Sequence, residues 1–174
     1  RWDPSEVHIA RLSDGETRLV LPLFKQMQSE GLIATGLCCS TEKLEGIDLP
    51  NISSAGVFPL NTPGLAEKLA GHLSGETEPQ KLIGIVVQGS SIENIRFQAV
   101  DDSMLEEGMV VSARIRDKKI FYQVLDANTQ EEIFHHNPLG VHIVLAAQLG
   151  FYDPDAGFRK FPWLPDMNQP VFIS

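Results

Sequence analysis

Apolar and polar residues alternate with a period of two along much of the second half of this chain. Ile95, Phe97 and Ala99 alternate with Arg96 and Gln98; Val111, Ala113 and Ile115 with Ser112, Arg114 and Arg116; Ile120, Tyr122 and Val124 with Phe121, Gln123 and Leu125. Successive side chains on a strand point to opposite faces, so each segment predicts a half-buried strand. LIGIVV, opening at Leu82, is continuously apolar, as a strand covered on both faces would be. Gly84 within it marks a bulge or a close backbone approach. In GVHIVLAAQLG, Val141, Ile143 and Leu145 alternate with His142, Val144 and Ala146, and VFIS supplies a last short strand. Short strands with turn residues between them, from Lys81 to Gly150, predict one sheet curled into a small closed antiparallel β-barrel. QGSSIEN reads as a turn and DDSMLEEGM as a polar connection. DANTQEEIFHHNPLG reads as a longer excursion with a helical turn, and FYDPDAGFRKFPWLPDMNQP as an ordered loop packed outside the barrel.

The first 80 residues follow a different pattern and predict a small α+β element. Leu19, Val20, Leu23, Phe24 and Met27 fall on one stripe at helical spacing, with Gly31 placed as a helix stop. Pro22 would delete a backbone donor inside such a helix, so the helix either kinks there or, the favoured reading, begins near Pro22 with RLVL as an extended lead. LIATGLCCS and AGVFPL read as short strands, with a loop over EKLEGIDLPNISSAG. Thr62 as N-cap and Pro63 at the first helical position open a second helix, whose Leu65, Leu69 and Leu73 share a face with Ala66 and Ala70 beside them. SGETEPQ, residues 74–80, is a polar linker. The expected division is therefore 1–80 as the α+β element and 81–174 as the barrel.

Charge narrows the function classes. Asp and Glu outnumber Lys and Arg by 23 to 14, a net charge of −9 that repels duplex DNA unless basic residues cluster. The one tight cluster, Arg114, Arg116, Lys118 and Lys119, falls on two strands and their turn, where a solvated hairpin tip is the simpler reading. No apolar run approaches the 18 or so residues that a bilayer-spanning helix requires. Cys38 and Cys39 are adjacent and too close to bridge without strain, so two reduced thiols in a cytoplasmic protein are expected. The opening RWDPSEVHIA lacks an initiator Met and a signal-like core, as an excised piece of a longer chain, or a processed one, would.

Catalytic patterns are missing from the sequence. It contains no GxxxxGK, GxSxG, HExxH or paired CxxC. His135 and His136 beside Glu131 and Glu132 form the most reactive-looking loop, and a solvated histidine pair is the simpler reading. Asp101, Asp102, Glu106 and Glu107 have no spaced partners to fix a cation. Neither catalytic residues nor cofactor or metal ligands are therefore assigned.

The phrases IGIVVQGSSIENIRFQAV, EEGMVVSARI, FYQVLDANTQEE, GVHIVLAAQLG and PWLPDMNQPVF together resemble the HAS-barrel, the N-terminal barrel of HerA-like ATPases. FYQVLDA and PDMNQPVF are the more specific of them. The resemblance covers Lys81 to Ser174 and not the first 80 residues. It implies a barrel that precedes a RecA-like motor, with the motor, ATP and magnesium all outside this chain. It further implies a homo-oligomer (a hexameric ring in the full protein) that translocates double-stranded DNA through the motor, often with a nuclease or other effector, in DNA-end processing or phage defence. The barrel in such proteins is a non-catalytic collar for assembly and partner docking. Expected contact residues are Phe121 and Leu125 on the barrel exterior and Phe158, Phe161 and Trp163 in the exit loop, since interfaces favour aromatics. The alternative for that loop is that it covers one end of its own barrel. Two other readings remain. One is a stand-alone OB-like or translation-factor-like binding module, whose stacking aromatics would have to be Phe97, Phe121 or Tyr122. The other is a small hydrolase using the His135 and His136 loop.

Overall fold

The computed structural model describes residues 6–28, 31–41, 49–100, 105–132 and 137–174. The chain is mainly β. In order, β1 is Val7–Arg11, β2 Thr17–Gln28, β3 Gly31–Ser40 and β4 Gly56–Leu60, followed by helix α1, Leu65–Ser74. Then come β5 Leu82–Val86, β6 Asn94–Ala99, β7 Val110–Ile115, β8 Lys118–Glu132, β9 Asn137–Asp153, β10 Gly157–Arg159 and β11 Pro170–Ile173. The first four strands form one sheet, ordered β3-β2-β1-β4. The rest form a closed antiparallel barrel, β9-β6-β5-β11-β7-β8, in which β8 pairs back onto β9 and β10 adds to the end of β9.

The barrel core is built from the alternating positions. Ile95, Phe97, Val111, Ala113, Ile115, Ile120, Tyr122 and Val124 are all buried inside it. On β9 the inward face is Val144 and Ala146, continued by the buried amide of Gln148. Gly84 shows both features expected of it. The β11 ladder slips opposite it, and a Cβ there would lie 2.5 Å from the Gln98 carbonyl oxygen and 2.5 Å from the Phe97 ring. The slip lets Ile83 and Val86 both face the barrel core, while Leu82 and Ile85 face outward.

That outward face is covered. Leu82, Ile85 and Phe172 from β5 and β11 pack with Leu65, Ala66, Leu69 and Ala70 of α1. Val7, Ile9, Leu19, Leu21 and Cys39 of the first sheet complete this second core. The helix therefore lies between the first sheet and the outside of the barrel wall. Its end is held by Arg114, whose guanidinium donates to the Ser74 carbonyl at 3.3 Å, a cation at a helix C-terminus.

Several local expectations are corrected. The apolar stripe at Leu19–Met27 is not a helix but most of β2, paired with β3 from Arg18↔Ser40 to Gln28↔Gly31. Leu19, Leu21 and Leu23 join the second core, and the ladder slips between Pro22 and Phe24, so a bulge absorbs the missing proline donor. Val7–Arg11, within a segment assigned no element, is a strand. Helix α1 is capped by Gly64 (φ 71°), not by the Thr62 side chain; Thr62 instead accepts the Leu65 N–H through its carbonyl. The 126–140 excursion contains no helical turn among the described residues: β8 and β9 continue through it, pairing from Phe121↔Gly150 out to Glu132↔Asn137. Its outer part, beyond the β6 pairings at Ile143–Ala147, is a two-stranded ribbon leaving the barrel wall. QGSSIEN is a turn, in which the Ser90 hydroxyl accepts the Arg96 N–H at 2.9 Å. His135, His136, Asp101 and Asp102 lie outside the described residues.

Two core positions carry predictions. Gly84→Ala is expected to destabilise by about 1–3 kcal/mol, because a methyl there must displace backbone as well as a core ring; a urea midpoint equal to wild type would contradict the close approach. The Tyr122 hydroxyl is fully buried and has no hydrogen-bond partner among the described residues, and burial raises its pKa. Tyr122→Phe should therefore keep or raise stability at neutral pH, by up to about 1 kcal/mol. The unfolded phenol ionises near pH 10 while the buried one stays protonated, so wild-type stability falls as pH rises above about 10. The variant should lack that part of the loss in paired urea melts at pH 7 and pH 11.

Candidate interaction surface

Phe121 of β8, Tyr152 of β9 and Phe158 of β10 meet on the outside of the barrel. Phe158 on β10 lies directly across from Tyr152 on β9, with ring centroids 5.7 Å apart at 71°. Phe121 on β8, opposite Gly150, turns its ring edge-on to Phe158 at 5.6 Å and 89°. Edge-to-face contacts of this kind add about 0.5–1.5 kcal/mol beyond area burial. Tyr152 and Phe158 nevertheless remain 61% and 56% exposed, which makes them a surface and not a core. The β9–β10 turn beneath them is fixed by Asp153, whose Oδ1 accepts the N–H groups of Asp155 and Ala156 at 3.0 and 3.2 Å.

Facing this turn is the β7–β8 hairpin. Arg116 and Asp117 both have positive φ, 46° and 64°, as a two-residue turn between paired Ile115 and Lys118 demands. Arg116 is an unfavoured residue there, and its guanidinium stacks over the Trp163 ring at 3.4 Å from the centroid. Lys118 sits 5.5 Å from the Phe151 ring and Lys119 5.4 Å from the Phe121 ring, with Lys119 also 3.3 Å from Glu76. The basic hairpin is thus docked on its own barrel and on the segment after α1. An open depression of about 470 Å³ lies between the two turns, lined by Phe121 and Phe151 together with Lys118, Lys119, Asp117, Asp153 and Asp155.

The exit loop behind this surface is locked by one side chain. Gln148, 3% exposed, donates from Nε2 to the carbonyls of Ile92 (2.7 Å) and Phe161 (3.0 Å), while its Oε1 accepts the Phe161 N–H at 2.7 Å. Lys160 adds bonds to the Gln148 carbonyl at 2.7 Å and to Glu93 at 2.9 Å. Phe161 is drawn into the barrel core, edge-on to Phe151 at 6.0 Å.

The expected contact residues therefore separate. Phe121 and Phe158 come together. Leu125 is exposed four residues further along β8, where the β9 ladder slips, and Trp163 lies under Arg116 at the hairpin tip. Phe161 is corrected: it is a core residue, and this part of the exit loop does close its own barrel. Tyr152 and Gln148 were missed by sequence reasoning. The inward period of Val144 and Ala146 reaches Gln148 and could have flagged it; nothing local marked Tyr152.

Among the described residues, no three His, Cys, Asp or Glu side chains come together as a metal site. Cys38 is exposed and Cys39 buried, and the two are not joined in a disulfide. No described helix is long and apolar enough to cross a membrane. No family model and no curated protein matches the chain.

Gln148→Leu leaves one donor and two acceptors unpaired at the barrel end, with an expected cost of about 2–4 kcal/mol. Residues 160–169 should become the first site of limited proteolysis. Unchanged urea and protease profiles would show that the loop is held by something else.

Proposed function

We propose that this chain is a non-catalytic assembly and docking barrel, the collar of a HerA-like, DNA-translocating ATPase whose motor lies outside these residues. The observation that carries the reading is the aromatic cluster of exposed Tyr152 and Phe158 with half-buried Phe121 on the wall of a closed barrel. The sequence phrases from Lys81 to Ser174 supply the likeness to the HerA-like collar. Interfaces concentrate binding energy in such aromatic anchors ringed by polar residues. The occupant proposed for this surface is the neighbouring barrel of the same ring, since the rims carry both Lys and Asp and can complement another copy. DNA engagement, ATP and magnesium belong to the motor, and a nuclease or other effector would dock on the assembled collar.

The nucleic-acid-binding alternative is weakened by the placement of its stacking residues. Phe97 and Tyr122 are fully buried and offer no face for base stacking. Under the proposal this chain neither binds nor turns over ATP, whereas the parent chain with its motor does both and forms rings. Tyr152→Ala/Phe158→Ala should leave the circular dichroism unchanged and lower ring yield in mass photometry by about tenfold or more. ATP turnover by these 174 residues alone, or rings that assemble equally well in the double variant, would overturn it.

A further inference from the structure

The β5–β6 turn, QGSSIEN, takes no part in the aromatic surface. Gln88 and Gly89 at its tip are exposed, and Gly89 has a φ of 90°. Neither of their N–H groups donates to another described residue. Successive free N–H groups in a turn form a concavity suited to an anion. Ser90 fixes this turn over β6: its hydroxyl accepts the Arg96 N–H at 2.9 Å and donates to the Val87 carbonyl at 3.0 Å.

The Arg96 side chain reaches the same turn. A Cβ at Gly89 would lie 3.2 Å from its Nη1 and 3.2 Å from its Cδ, so the bare glycine leaves room for the guanidinium against the backbone. Arg96 is half-buried, yet its guanidinium has no hydrogen-bond acceptor or ion-pair partner among the described residues. By contrast, Arg18, Arg114, Lys119, Arg159 and Lys160 each have a carboxylate at 2.7–3.7 Å. Asn94 and Gln98 flank Arg96 on its face of β6 and Leu145 lies opposite on β9, so no carboxylate comes from those positions. A partly buried cation is normally paired, and acids exceed bases here by 23 to 14.

We propose that Arg96 and the N–H groups of Gln88 and Gly89 bind one small phosphate, either inorganic phosphate or the phosphate of a small monoester. The guanidinium fork takes two oxygens of a tetrahedral anion and leaves a third for the turn. A carboxylate, with two oxygens, cannot serve both fully. Net charge selects the size of the ligand. A nucleic acid would be held against the acidic surface of a −9 chain, whereas a single dianion meets mainly the local cation. The site shares no residue with the aromatic surface and does not rest on the docking reading.

The test is a titration of the 174-residue protein with inorganic phosphate at constant ionic strength, followed by amide NMR. The Gln88 and Gly89 signals should shift and saturate with a Kd of about 1 mM. Arg96→Gln should weaken binding by about tenfold or more, and Arg96→Lys, which keeps the charge but loses the fork, by a smaller factor. Arg159→Gln removes the same charge elsewhere and should leave binding unchanged. Methyl phosphate binding tighter than inorganic phosphate assigns the site to a monoester, and binding no tighter assigns it to the free anion. Acetate should not saturate the two signals. Shifts that never saturate, an affinity indifferent to Arg96→Gln, an equal response to acetate, or ATP binding tighter than inorganic phosphate would each overturn the proposal.

Discussion

Val171 and Phe172 are neighbours on a four-residue strand, and they belong to different cores. β11 lies between β5 and β7, so it closes the barrel wall by hydrogen bonding while its side chains alternate between the two apolar interiors. The same holds for β5, where Ile83 and Val86 face one core and Leu82 and Ile85 the other. A strand buried on both faces has no solvent side, so neither core can be repacked without disturbing the other. The closing pairs span from the early barrel strands to the far end of the chain. Pairings of such high sequence separation form late, after the loop-closure entropy has been overcome.

The aromatic surface inherits its rigidity from this wall. Its residues sit on β8, β9 and β10, and the turns beside it are fixed locally, one by the Asp153 carboxylate and the other by Arg116 on Trp163. Gln148 then ties the loop that follows β10 to the barrel end through three hydrogen bonds of its amide. A buried amide with all three bonds made specifies one arrangement, because any shift of the loop leaves a dry donor or acceptor. The backbone that carries Tyr152 and Phe158 is therefore held in place by hydrogen bonds of its own, which lowers the ordering cost of any contact made there.

The barrel was legible because its strands are half buried and their period of two survives intact. Gly84 was legible too, since glycine inside an apolar strand has few other uses. The first sheet was harder. In β2, Leu19, Val20, Leu23, Phe24 and Met27 fit a helical stripe as well as a strand, because Val20 and Phe24 interrupt the alternation of Leu19, Leu21 and Leu23. The bulge at Pro22 is what resolves the ambiguity, and a bulge depends on the partner strand. The ribbon of β8 and β9 was read as a loop because neither of its faces is apolar enough to show a core period. Among the candidate contacts, Phe121 and Phe158 could be chosen by type, but their meeting depends on β8–β9–β10 register. Phe161 was misplaced for the complementary reason: the exit loop has no periodicity to tell an inward ring from an outward one.

That ribbon gives the molecule a gradient. Near Phe121 its rungs are part of a closed wall, whereas at Glu132 and Asn137 each strand has the other as its sole described strand neighbour. An isolated two-stranded hairpin is marginal in water, so the far rungs borrow their order from the near ones. Opening there costs little and can spread only as far as the wall permits, which turns one hairpin into a graded spring with its fixed end set in the barrel.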